Sequence, residues 1–278
     1  MAYAPPIGIT ASTLGSPPLR ELVDAMVKAD LRVLSFWPAA TYQRARGEGW
    51  SDRDMRALLT DNGIAVHDAD AWVAWVGPDD PGGQYFEESS PDLVLASAEA
   101  LGAPFINVLL TGRRANVTVE GAAEVLAGVC DRAAEHGVGV TVEFATRSAV
   151  NDIETACAVI ERSGRTNVGI CMDTWAYHFG TCGLDALVEA VPRIFTLQLD
   201  DAPAERPEDF GYATRYHRLV PGAGAIDYAS IFGALAAGNS TAPVVLEVFN
   251  DELLARHGVV GFARHLADAT RAVLAAAR

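Results

Sequence analysis

The chain has 278 residues, half of them hydrophobic, and carries 21 Lys and Arg against 36 Asp and Glu, a formal charge of −15. That composition builds a large core, and the acidic balance excludes nucleic acid as an expected partner, because phosphate contacts need clustered cations. No apolar run approaches the ~18 residues of a membrane span, and the opening MAYAPPIGITAS has no basic segment followed by an apolar one, so a cytoplasmic protein without a membrane partner is expected.

The first apolar run, residues 7–10, predicts a strand, and Ser16 with Pro17 and Pro18 predicts the capped first turn of a helix reaching Ala29. Residues 31–36 form the second strand; Ser51 caps the next helix, which ends at Asn62-Gly63. Residues 64–69 are the third strand, followed by a long loop over 70–89. Ser90-Pro91 opens a helix closed by Gly102, and residues 105–110 are the fourth strand. Thr118 caps a helix ending near Gly137, residues 138–143 are the fifth strand, and Asn151 caps a helix ending at Gly164. The sixth strand, 168–172, precedes a helix over 184–191, and the seventh strand is 194–199. A second long loop spans 200–225, then come a helix over 226–237, the eighth strand 244–248 and a last helix over 252–277.

Apolar runs without alternation indicate strands covered on both faces, as in a parallel sheet. Eight strand–helix repeats predict an α/β protein, a closed (β/α)8 TIM barrel occupying residues 1–278 as a single domain. The other arrangement of such repeats is an open doubly wound sheet, but no G-x-G-x-x-G follows the first strand. Cys130, Cys157, Cys171 and Cys182 form no C-x-x-C pair and read as reduced thiols.

In such a barrel the chemistry sits at the carboxyl ends of the strands. Glu143 ends VGVTV, Asp173 ends VGICM, Gln198 follows IFTL and Glu247 follows PVVL, so four polar side chains end four consecutive strands. Neighbouring strands lie ~4.8 Å apart, close enough for all four to meet one divalent ion. Three carboxylates and an amide form an all-oxygen set, which suits Mn²⁺ or Mg²⁺ and leaves room for water or substrate. Other residues near the predicted rim are His67, a proton carrier or an orienting donor, and Trp37, an aromatic that stacks on a sugar face or packs under a loop. Arg218 stands before LVPGAGAID, where a Gly-rich turn lets backbone approach a ligand and the guanidinium clamps a hydroxyl, carboxylate or phosphate. Arg113 and Arg114 follow the fourth strand and are expected to serve an anionic substrate only if there is one.

The segments VEFATRSAVND, GICMDTWAYHFG, IFTLQLDDAP, HRLVPGAGAIDY and VVLEVF resemble the xylose isomerase-like TIM-barrel superfamily of sugar phosphate isomerases and epimerases. The resemblance implies a metal held by Glu143, Asp173, Gln198 and Glu247, with Glu143 and Glu247 as catalytic acid and base, and Arg218 at the substrate. It implies isomerisation or epimerisation of a sugar, polyol or related hydroxy-ketone through a metal-stabilised enediolate. A dehydratase or lyase of the 3-dehydroshikimate dehydratase type is the alternative, and a non-catalytic metabolite-binding barrel is a third. One departure stands out: Ala176 occupies the position where related chains carry a His, and His178, two residues on, is the substitute in the substrate-binding set if the loop bulges. Expected partners are a small-molecule substrate and, through aromatics in the two long loops, a second copy forming a homodimer.

Overall fold

The computed structural model describes residues 3–77, 90–112, 116–146 and 148–277; Arg113 and Arg114 lie outside them. Eight parallel strands close in sequence order. They are β1 (Ile7–Thr10), β2 (Val33–Phe36), β3 (Ala65–Trp75), β4 (Phe105–Thr111), β5 (Gly139–Glu143), β6 (Val168–Asp173), β7 (Ile194–Leu199) and β8 (Val244–Leu246). β8 returns to β1 with Ile9 opposite Leu246, which leaves no free sheet edge. The helices are α1 (Leu19–Ala29), α2 (Arg44–Gly47), α3 (Asp52–Asp61), α4 (Pro91–Leu101), α5 (Val119–Glu135), α6 (Ile153–Ser163), α7 (Thr174–His178), α8 (Leu184–Ala190), α9 (Phe210–Tyr216), α10 (Tyr228–Ala237) and α11 (Asp251–Ala276). Their apolar stripes, such as Leu22, Val23 and Met26 of α1, are buried in one core that includes Ile9, Ile106, Val140 and Ile170. This is the (β/α)8 barrel. No described helix is long and apolar enough to cross a membrane.

Four local expectations change. α1 begins at Leu19, not at a Ser16 cap: Gly15 and Ser16 both take positive φ, and Pro18 is extended with its carbonyl accepting from Leu22 N at 3.0 Å. The cap of α6 is Asp152, not Asn151; Asp152 Oδ1 accepts from Thr155 N at 2.8 Å. The third strand continues through Trp75, so Asp70 belongs to the sheet and not to a loop. β8 is short, and Glu247 follows it; Glu247 N still donates to Leu199 O at 3.0 Å, which extends the ladder by one bond.

The register sets the heights of the side chains that matter. Asp173 pairs with Gln198, and Gln198 with Val245, two residues below Glu247. On the other side Glu143 pairs with Cys171, two residues below Asp173. This climbing offset is the stagger that closing a tilted sheet requires, and it brings side chains from β5, β6, β7 and the end of β8 to one mouth. The lumen below is polar as well: Ser35, Asp68, Asn107, Thr141 and Thr196 are buried.

Candidate metal centre

Glu143, Asp173 and Glu247 are buried, and their oxygens lie within 4.8 Å of one another. Gln198 joins them: its Nε2 donates to Glu247 Oε1 at 3.2 Å. Among the described residues its Oε1 has no hydrogen-bond partner, although it is buried. An orphaned amide oxygen costs free energy unless something electropositive meets it. A divalent cation is such a partner, and the donor set of three carboxylates and one amide oxygen fits a hard ion.

Each ligand candidate is oriented by a neighbour. Asn107 on β4 donates through Nδ2 to Glu143 Oε2 at 2.6 Å and to Asp70 Oδ1 at 2.8 Å, while its own Oδ1 accepts from Thr141 Oγ1 at 3.0 Å. Asp173 caps α7, with Oδ1 accepting from Trp175 N at 2.7 Å and Ala176 N at 3.3 Å. Its second oxygen therefore faces the centre, where Arg218 Nη1 donates to it at 2.8 Å. The same nitrogen reaches Asp200 Oδ2 at 2.7 Å and Glu247 Oε2 at 3.1 Å. Arg218 is buried, flanked by the rings of Phe249 and Trp175 at 4.8 and 5.9 Å.

The turn after Arg218 is built on a residue that the strand-end pattern did not single out. Asp201 accepts from Gly222 N and Gly224 N through Oδ2, and from Ala202 N and Ile226 N through Oδ1. Gly222 has φ +85°, which favours glycine, and a Cβ on Gly224 would collide with Asp201 and the Ala202 carbonyl. The Gly-rich turn is thus folded around a carboxylate.

The electrostatics show a shortage of positive charge. Burial, and then the neighbouring Asp70 and Asp173, hold the Glu143 carboxyl well above the usual range. Glu247 is raised by burial and by Glu143 and Asp173, against the pull of Arg218. Asp200 is raised by burial and by Asp173, again opposed by Arg218. Burial disfavours the Arg218 charge, but Asp173, Asp200 and Glu247 outweigh it and bind its proton more tightly than usual. A bound divalent ion reverses the balance for the carboxylates.

Asp70 and Asp68 complete the acidic lumen. Burial, then Asp68, pushes Asp70 to about 7. Asp68 accepts from Ser35 Oγ, and burial pushes it to about 7 too. An unfolded Asp ionises near ~3.9, so as pH rises the unfolded chain loses this proton first. Ionisation therefore favours unfolding: no cost exists below about pH 4, it grows to about pH 7, and it is constant above. We expect Asp68→Asn to gain stability over the parent between about pH 4 and pH 8, by up to about 4 kcal/mol, three units at about 1.4 kcal/mol each. Urea unfolding at the two pH values checks this, and an equal offset at both contradicts it.

The other expected contacts fall as follows. Trp37 is at the carboxyl-end mouth, 41% exposed, with Nε1 donating to Asp70 Oδ2 at 3.3 Å. His178 ends α7 with no bulge before it, and its Nε2 meets Pro203 O at 3.1 Å; it ties α7 to the loop after β7 and has no bond to the carboxylates. His67 is not on the rim. Its Nε2 meets Thr196 Oγ1 at 2.8 Å across the lumen, its ring packs on Phe105, and it lines a cavity with Pro6, Pro104 and Pro243 at the amino-terminal ends of the strands. Burial lowers it to about 4, so it is neutral. That position separates His67 from the substrate-binding set: one residue before Asp68 and three before Asp70, it lies deeper in the barrel.

The xylose isomerase-like TIM barrel family model matches residues 22–273. Inosose isomerase of Bacillus velezensis is 33% identical over 135 residues, 47% of this chain and 46% of that one. Ketose 3-epimerase of Arthrobacter globiformis is 33% identical over 130 residues, 46% and 40% of the two chains. 3-Dehydroshikimate dehydratase of Pseudomonas aeruginosa is 29% identical over 175 residues, 59% and 24%. The chain thus spans less than half the length of these curated relatives. The crystal structure of an IolI protein with a bound zinc atom superposes with a TM-score of 0.84 at 20% identity, covering 100% of this chain and 99% of that one. The chain belongs to the xylose isomerase-like TIM barrel family.

Proposed function

We propose that the protein is a divalent-metal-dependent isomerase or epimerase of a sugar, polyol or related hydroxy-ketone. The observation that carries this reading is the partnerless, buried Gln198 Oε1 beside three converging carboxylates. Isomerase and epimerase relatives support it. Glu143, Asp173, Gln198 and Glu247 would hold the ion, with Mn²⁺ or Mg²⁺ favoured by the all-oxygen set and zinc, as in the IolI protein, as the other occupant. When bound, the ion supplies Lewis acidity toward a carbonyl and its neighbouring hydroxyl.

The chain's own residues do the rest. Glu143, fixed at one oxygen by Asn107, takes the proton from the carbon next to the carbonyl. Glu247, fixed by Gln198 and Arg218, returns a proton from the other side. Burial and the neighbouring carboxylates raise the proton affinity of both side chains; this strengthens ionised Glu143 as the base, while Glu247 must carry the proton that it returns. Trp37 offers an exposed ring at the mouth for the apolar face of the substrate. Arg218 orients oxygen groups near Asp173 and Glu247.

Elimination of water is the second reading, favoured by the dehydratase relative, whose match covers 59% of the chain. It shares the proton abstraction and differs in the leaving group. Incubation with inosose, a set of ketoses and 3-dehydroshikimate in D₂O, followed by NMR, separates the two. We expect deuterium beside the carbonyl of a ketose or inosose without loss of water. Dehydration of 3-dehydroshikimate would favour elimination, and no exchange with any of them would contradict both.

A further inference from the structure

Asp200 is not among the four proposed ligands, yet it is completely buried beside them. Its two oxygens have separate duties. Oδ1 accepts from Thr174 Oγ1 at 2.6 Å, and Oδ2 accepts from Arg218 Nη1 at 2.7 Å. Thr174 is itself locked, because its hydroxyl also accepts from Asp200 N at 3.0 Å. The Asp200 carbonyl accepts from Tyr228 OH at 2.5 Å. The carboxylate is therefore a fixed post.

Arg218 is less settled. Its Nε is tied to Thr214 O at 2.9 Å, but Nη1 lies near four acceptors: Asp200 Oδ2, Asp173 Oδ2, Glu247 Oε2 and Glu247 O. Nη1 carries two hydrogens, so it cannot satisfy all four. Two of these acceptor side chains, Asp173 and Glu247, are the ones a metal ion needs. The third, Asp200, is not. A divalent ion at Asp173 and Glu247 competes with Arg218 for their lone pairs and repels its charge. Asp200 is the one side chain in the set to which Arg218 can stay bonded while the ion binds.

We infer that Asp200 is a positioning residue: from its anchor on Thr174 it holds the Arg218 cation off Asp173 and Glu247, so that the site accepts a divalent ion. The inference rests on the metal reading above. Without Asp200, Arg218 has only the ligand carboxylates to pair with, and ion binding must displace it.

The test is calorimetric titration of Mn²⁺ into the whole chain for four proteins: the parent, Asp200→Asn, Arg218→Met and the double variant. We expect Asp200→Asn to weaken Mn²⁺ binding at least about tenfold in the parent background, as a unit charge shifted by a few ångströms does at an effective dielectric of about 20. In the Arg218→Met background the same change is expected to matter by less than about threefold, since the residue it acts through is gone. A loss of equal size in both backgrounds means that Asp200 acts by its own charge and overturns the inference. So does unchanged affinity in Asp200→Asn. A parent that binds no Mn²⁺ overturns the metal reading, and the inference with it. Thr174→Val keeps every charge and removes only the anchor. It is expected to weaken Mn²⁺ binding in the same direction, which provides the test if the charge variants do not fold; unchanged affinity there overturns the inference too.

Discussion

Replacing Glu143 by Gln is expected to lower turnover about 10³-fold, within the range removal of a general base or acid usually costs, while the chain stays folded. Gln has the same shape and remains within reach of Asn107, whose Nδ2 donates to Glu143 Oε2 at 2.6 Å. The amide must turn its oxygen toward Asn107, which leaves its NH₂ on the metal side. It can neither take a proton from carbon nor serve as an anionic ligand. Ion binding is therefore weakened but not abolished, because Asp173, Gln198 and Glu247 remain. Removing a buried acid whose ionisation burial and Asp70 already disfavour leaves the fold intact. Turnover equal to the parent's, measured with Mn²⁺ saturating, would contradict the assignment of Glu143.

Arg218→Met is expected to destabilise the metal-free protein by about 3–5 kcal/mol, the usual cost of removing one partner from buried ion pairs. Its guanidinium is the cation given to Asp173, Asp200 and Glu247, at 2.8, 2.7 and 3.1 Å. Methionine fills part of the volume between Phe249 and Trp175 but leaves those acids facing each other. An ion that binds only the folded state restores stability by mass action, and here it also neutralises Asp173 and Glu247. Urea unfolding of parent and variant, each with EDTA and with Mn²⁺, measures both effects. The gap is expected to narrow with Mn²⁺; an unchanged gap, or none at all, would contradict the counter-charge role.

How far the sequence could be read depended on whether a signal was local. Val, Ile and Leu runs of four to seven residues mark strands buried on both faces, and the barrel followed from counting them. The four strand-end side chains were legible for the same reason: each breaks an apolar run at its carboxyl end. The carboxyl-terminal part of β3, beyond residue 69, was not, because Asp70, coming so soon after Asp68, looks like the start of a loop. Their alternation with Ala69 and Ala71 has the period of two that a strand requires, and it was the available sign that the acids point one way. Asp200 and Asp201 sit side by side in LQLDDAP, one gripping Arg218 and the other the Gly-rich turn. Pairings across 18 and 21 residues have no local pattern. His67 misled because its depth depends on the register irregularity between β2 and β3, which no single segment encodes. Gln198 was chemically the weakest ligand in the sequence and became the most informative in the structure, since only packing reveals that its oxygen has no partner.

The most direct test of the metal centre is an anomalous diffraction map from crystals saturated with Mn²⁺. We expect one peak per chain at about 2.0–2.3 Å from oxygens of Glu143, Asp173, Gln198 and Glu247, as hard-ion coordination requires, with Arg218 remaining on Asp200. Saturated crystals with no peak among these four side chains, or with Gln198 Oε1 turned away from it, would contradict the site.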